Sequence, residues 1–304
     1  MNVTRSNATL IGLIAIILWS TMVGLIHSVS ELLGPLGGIA MVYTAAATLL
    51  IVTLGVPKIK TLPWKYVLIG GFLFVAYEVS FALAIGYAIN GTQAIEVNII
   101  NYLWPSLTIV FAIIFNKQKS TLLIIPGLTF SLLGICWVLG GEKGLDLGVM
   151  IGNIKSNTFS YVLAFAGAFI WAAYCTVTNK LAEGKNGITL FFILTAAVLW
   201  VKFFISGGAA LNLSMRAIMY VLMTGCAVGF GYACWNFGIL YGNVSILASA
   251  SYFTPVLSSL LASLLLNAPL SVPFWQGVFM VCLGSILCWR ATKDHSAKSK
   301  VCAS

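Results

Sequence analysis

The chain carries ten continuous apolar stretches, at about 8–27, 37–55, 66–88, 94–115, 121–139, 159–180, 188–206, 217–240, 244–266 and 273–290. Each is close to the roughly 20 residues that an α-helix needs to cross a bilayer. In hydrocarbon every backbone N–H and C=O must find its partner inside the protein, which leaves helices or a closed barrel. A transmembrane barrel would alternate polar and apolar residues over segments of about ten, and these runs do not alternate. Only 8% of the 304 residues are charged, against about 25% in soluble domains. The expected fold is therefore an all-α polytopic membrane protein with ten transmembrane helices. The first run lies behind Arg5 as in a signal peptide, but it is about 20 residues long and lacks an Ala-x-Ala site, so it is expected to stay as a span.

Lysine and arginine set the orientation. With a cytoplasmic N-terminus, twelve of the 16 basic residues fall in cytoplasmic segments, from Arg5, Lys58 and Lys60 through Lys117 and Lys180 to Lys300. Lys143, Lys155 and Arg216 lie on the other side, and Lys202 snorkels from a span end. That bias is the positive-inside pattern, so both termini are expected in the cytoplasm. The net charge of +9 is spent on topology and implies no nucleic-acid partner. Six of the seven cysteines lie inside spans, and their spacing suggests neither a disulfide framework nor a metal site.

The chain repeats itself. Trp19 precedes Glu31 by twelve residues, as Trp171 precedes Glu183. Residues 70–87 align without gaps on 224–241, matching Gly71 to Gly225 and Tyr87 to Tyr241. Pro105 leads to Gly127 and Gly134 at 22 and 29 residues, and Pro255 leads to Gly277 and Gly284 at the same spacings. The offsets are 152, 154 and 150. Each half then holds five spans, and an odd number turns the second copy upside down, so two inverted five-helix repeats are expected, an architecture of transporters. The boundaries read as a first repeat at 1–140, an external connecting loop at 141–158, a second repeat at 159–290 and a disordered basic cytoplasmic tail at 291–304.

Polar groups are costly in such spans, which makes the stretch Gln93 to Thr108, QAIEVNIINYLWPSLT, the most informative one. Pro105 removes the backbone hydrogen bond to the carbonyl of Asn101, and Pro255 removes that to Ser251. Each half thus places a tyrosine (Tyr102, Tyr252) and a polar residue at a helical break, and matched breaks point to a transporter's site; a passive kink is the competing reading. Glu78 lies about 20 Å along the third span at about 1.5 Å per residue, near the midplane. It reads either as a carboxylate facing a wet cavity, for a substrate ammonium or a proton, or as a protonated acid bonded to a neighbouring helix. Glu96 and His27 are expected near the outer interface. Trp19, Tyr77, Trp104, Trp171, Tyr174 and Trp235 lie away from span ends, where they either line a cavity for planar side chains or fill gaps between helices. No nucleotide loop, zinc motif or nucleophile with its base is present, so neither a cofactor nor an enzyme activity is implied.

Ten spans, the inverted repeat and the paired proline–glycine spacing resemble the drug/metabolite transporter superfamily (EamA-type). QAIEV at 93–97 and NYLWPSLT at 101–108, with Tyr77-Glu78 upstream, are similar to the aromatic amino acid exporters of bacterial inner membranes. The second half has the generic SYFTP at 251–255. The resemblance implies a cavity lined by spans 1, 3, 4, 6, 8 and 9, open alternately to either face, that exports aromatic and other neutral amino acids. The substrate-binding residues are expected to be Tyr77, Glu78, Asn98, Asn101, Tyr102, Trp104, Trp171, Trp235 and Tyr252, with Pro105 and Pro255 bending the helices during gating. The expected partners are a small-molecule substrate and the lipid bilayer, with proton exchange left open. An exporter of planar cationic drugs anchored by Glu78 is the alternative.

Overall fold

The computed structural model describes residues 4–117, 119–242 and 244–301, and every regular element among them is helical. The first is α1 (Arg5–Leu33), whose N-cap Thr4 accepts a hydrogen bond from the Asn7 amide. It turns through the single residue Gly34, at φ 75°, into α2 (Pro35–Leu54). Glycine takes that left-handed backbone without strain, and Pro35 starts the next helix where its missing N–H costs nothing. A π-helical stretch at Tyr66–Gly70 leads into α3 (Gly71–Gly86). Then come α4 (Gly91–Asn101), α5 (Trp104–Asn116), α6 (Ile124–Leu139), α7 (Leu147–Ser156) and α8 (Thr158–Leu181). The chain ends with α9 (Ile188–Ile205), α10 (Met215–Tyr241), α11 (Val244–Ser251), α12 (Thr254–Leu266) and α13 (Val272–Val301).

Among the described residues, eight helical stretches are long and apolar enough to cross a membrane. Two of the ten expected runs fall short for local reasons. The run at 121–139 spends its first residues in a turn, leaving the 16 residues of α6. The run at 244–266 is cut at Tyr252–Phe253, as that at 94–115 is at Tyr102–Leu103, and its longer piece is the 13 residues of α12. The polar stretch expected to be a disordered tail continues α13 as far as Val301; it contains alanine and lysine and neither glycine nor proline, so nothing stops the helix. Residues 302–304, Cys302 included, lie outside the described residues. Between the halves, Asp146 caps α7 by accepting from the amides of Gly148 and Val149, and Asn157 caps α8.

Large apolar side chains such as Val52, Phe72, Leu122, Ile205 and Phe279 are exposed, as a lipid-facing surface requires. Inside, small residues bring backbones together. A Cβ on Gly134 would stand 2.7 Å from the carbonyl oxygen of Gly277, and one on Gly284 2.6 Å from that of Gly127. The earlier glycine of α6 thus meets the later one of α13, so these two helices run antiparallel. Gly12 of α1 and Gly238 of α10 meet in the same way. Helix α1 packs on α10, α11 and α12, while α8 packs on α3, α4 and α5. Helix α2 lies against α9 and α10, and α9 against α3.

Candidate functional site

A cavity of about 430 Å³ lies between the group built on α1 and the group built on α8. That volume falls in the usual range for small-molecule sites, about 300–1,000 Å³. The eleven residues expected to bind or gate line it: Tyr77, Glu78, Asn98, Asn101, Tyr102, Trp104, Pro105, Trp171, Trp235, Tyr252 and Pro255, whereas Tyr174 packs behind it on Phe74 and Trp171.

Two helical breaks build its middle. The amides of Tyr102 and Leu103 bond back only three residues, to the carbonyls of Ile99 and Ile100, and α5 restarts with Pro105 in its first turn. In the second half the Phe253 amide bonds to the Ala250 carbonyl, and α12 restarts with Pro255 in its first turn. The tightened turn at the tyrosine therefore recurs at the matched position. Neither restart carries a side-chain cap, so the N-terminal amides of α5 and α12 keep their partial positive charge.

Aromatic rings form two walls. On one side Trp171 lies 4.4 Å from Tyr77 between ring centroids, and Trp104 stands perpendicular to it at 6.4 Å. On the other, Trp19 lies 5.2 Å from Tyr232 and 5.3 Å from Trp235. These offset and edge-on contacts are the favourable ones for aromatic pairs. Tyr252 and Trp289 add a further pair at 6.1 Å.

The polar groups are spread along the same cavity. Glu78 is 1% exposed and accepts hydrogen bonds from Tyr43 and Tyr232, each at 2.5 Å, one to each carboxylate oxygen. A buried carboxylate needs such donors, and these two tie α3 to α2 and α10. Tyr232 is the residue that the internal repeat aligns with Glu78. The Asn101 amide donates to the Tyr77 hydroxyl at 3.2 Å, while its Oδ1 is buried without a partner. The Asn98 amide donates to Ser258 Oγ at 3.0 Å, joining α4 to α12.

Glu96 and His27, expected near the outer interface, are both buried. Glu96 is 8% exposed and accepts a hydrogen bond from Tyr161, off the cavity. His27 is 3% exposed with Nδ1 3.4 Å from the Ile85 carbonyl. Both sit where helices pack, α4 and α1 being covered there by α8 and α3. Sequence reasoning missed Tyr43, an unremarkable tyrosine 35 residues before its partner. It also missed Ser285 and Trp289, which bring α13 into the wall. Trp289 precedes Arg290, where a tryptophan looks like part of the interfacial belt.

Residues 158–290 match a family model described as the EamA-like transporter family. The chain is 58% identical over 290 residues to the aromatic amino acid exporter YddG of Salmonella typhimurium (strain 14028s / SGSC 2262), covering 95% of this chain and 99% of the relative. The protein of the same description from Escherichia coli (strain K12) gives the same identity and coverage. The one from Ancylobacter novellus is 27% identical over 265 residues, covering 85% of this chain and 88% of the relative. A crystal structure with 23% sequence identity superposes with a TM-score of 0.66 over 95% of this chain and all of the other, a likeness of fold.

Proposed function

This chain belongs to the aromatic amino acid exporter family, and from that premise we propose that it exports aromatic and other neutral amino acids across the bacterial inner membrane by alternating access. The observation that carries this reading is the aromatic-walled cavity at two matched helix breaks. Trp104, Trp171, Tyr77 and Trp235 stack on the substrate side chain. Its zwitterionic end lies against the polar groups: the ammonium near Asn101 Oδ1, Asn98 and the negative charge of Glu78, the carboxylate near the uncapped starts of α5 and α12, with Tyr102 and Tyr252 beside them. Pro105 and Pro255 keep the two broken helices free to bend.

The proposal includes ten spans in two inverted repeats with both termini cytoplasmic. Exchanging each helix for its repeat counterpart maps the packing of α1 on α10, α11 and α12 onto that of α8 on α3, α4 and α5. The pairs α2 with α9 and α6 with α13 map onto themselves. The antiparallel meeting of α6 and α13 is what a two-fold axis in the membrane plane demands, whereas an axis along the membrane normal would make them parallel.

Counterflow of labelled phenylalanine, tyrosine or tryptophan into proteoliposomes tests the reading. Uptake driven by unlabelled aromatic amino acid inside is expected, and its absence ends the proposal.

A further inference from the structure

The internal repeat gives every cavity residue a counterpart, and most counterparts line the cavity together: Trp19 with Trp171, Val23 with Cys175, Phe81 with Trp235, Tyr102 with Tyr252. Four do not. Thr108, Ile109, Ser285 and Trp289 line it, while their counterparts Ser258, Ser259, Ile135 and Leu139 lie outside it and are 7% exposed or less. In the orientation proposed above, the four lining residues are on the cytoplasmic side of their helices and the four buried counterparts on the external side. The packing of α4 breaks symmetry in the same sense, whereas that of α5 on α13, with no comparable packing of α12 on α6 among the described residues, runs the other way. Helix α1 packs against α3 and α4, and α4 against α12. Among the described residues the counterpart pairs, α8 with α10, α8 with α11 and α5 with α11, show no comparable packing. In that orientation the cavity reaches further towards the cytoplasm, to Trp289, than towards the outside.

One bond across the external side has no possible mirror image. The Asn98 amide reaches Ser258 Oγ at 3.0 Å, and both residues are almost fully buried. Their counterparts across the repeat are Ala248 and Thr108, and alanine carries no donor. We propose that the Asn98–Ser258 hydrogen bond is a one-sided latch that holds the external gate shut and makes the cytoplasm-open form the resting state of the empty carrier. The proposal rests on the transporter reading and its orientation. It gives an exporter a loading direction: the unloaded site waits where substrate is to be collected. A side-chain hydrogen bond between membrane helices shifts such an equilibrium about threefold, and the strongest about fifteenfold.

The test uses the full-length chain with its native cysteines replaced and a single cysteine introduced as Ser259→Cys, on the external side. Intact cells are treated with a membrane-impermeant maleimide, without substrate. Labelling is expected to be slow, and Asn98→Ala is expected to speed it about three- to fifteenfold. Ala248→Asn supplies the amide that alanine lacks at the position the repeat pairs with Asn98. It is expected to speed labelling too, by stabilising the opposite closure, and it decides the matter alone if Asn98→Ala fails to accumulate. Unchanged labelling in Ala248→Asn, or in a well-expressed Asn98→Ala, overturns the latch. Labelling from inverted vesicles in place of intact cells overturns the orientation on which it rests. Counterflow measured on the same preparations separates these outcomes from failure of the substrate assignment, because labelling needs no substrate.

Discussion

Glu78 shows how a single residue can be conspicuous in sequence and yet be explained only by its neighbours. A carboxylate in an apolar run is expensive enough to draw notice, but the Tyr43 and Tyr232 hydroxyls that hold it come from elements 35 residues before and 154 residues after it. Glu78 lines the cavity, but the two hydroxyls already occupy one oxygen each, so adding substrate to proteoliposomes is expected to move no protons. A pH-sensitive dye reads this, and substrate-driven proton flux that Glu78→Gln abolishes would contradict it. For the aromatic wall, Trp104→Ala is expected to raise KM for phenylalanine roughly two- to tenfold through lost stacking. Trp275→Ala, outside the cavity, is expected to leave it nearly unchanged in the same counterflow assay. Glu96 makes a stability prediction instead. Tyr161→Phe leaves that buried acid short of its donor and is expected to cost about 1–3 kcal/mol, measured by thermal unfolding in detergent.

At the scale of elements, proline and glycine were the readable signs, since each changes what the backbone can do whatever surrounds it. The break before Pro105 and its match before Pro255 follow from the absent N–H. What the apolar count could not give was that the run at 121–139 would spend its first residues in a turn and leave only the 16 residues of α6. Pro105→Ala restores the N–H and allows a continuous helix; a several-fold slower turnover with little change in KM is expected in single-preparation counterflow kinetics. The glycines have a sharper consequence. Gly134→Leu would drive a side chain into the Gly277 backbone, which has no rotamer to yield. It is expected to destabilise the protein by about 1–3 kcal/mol or more, read as a lowered unfolding temperature in detergent.

For the whole molecule, the asymmetry of basic residues argues that both ends face the cytoplasm. A fluorescent protein fused to the C-terminus is therefore expected to fold and fluoresce, and an impermeant reagent is expected to label a cysteine placed at Lys143 from outside. Apolar length and the spacing of proline and glycine pointed to the class, to the membrane environment and to about half of the residues that line the cavity. Those features act through properties of single residues and of chain length, so a one-dimensional reading captures them. Tertiary structure alone decided that Tyr43 and Tyr232 satisfy Glu78, that Glu96 is buried against Tyr161 and that α13 joins the wall. Each of these is a contact between segments far apart in the chain, between groups that the repeat leaves chemically unequal, and its energy exists only once the helices have packed.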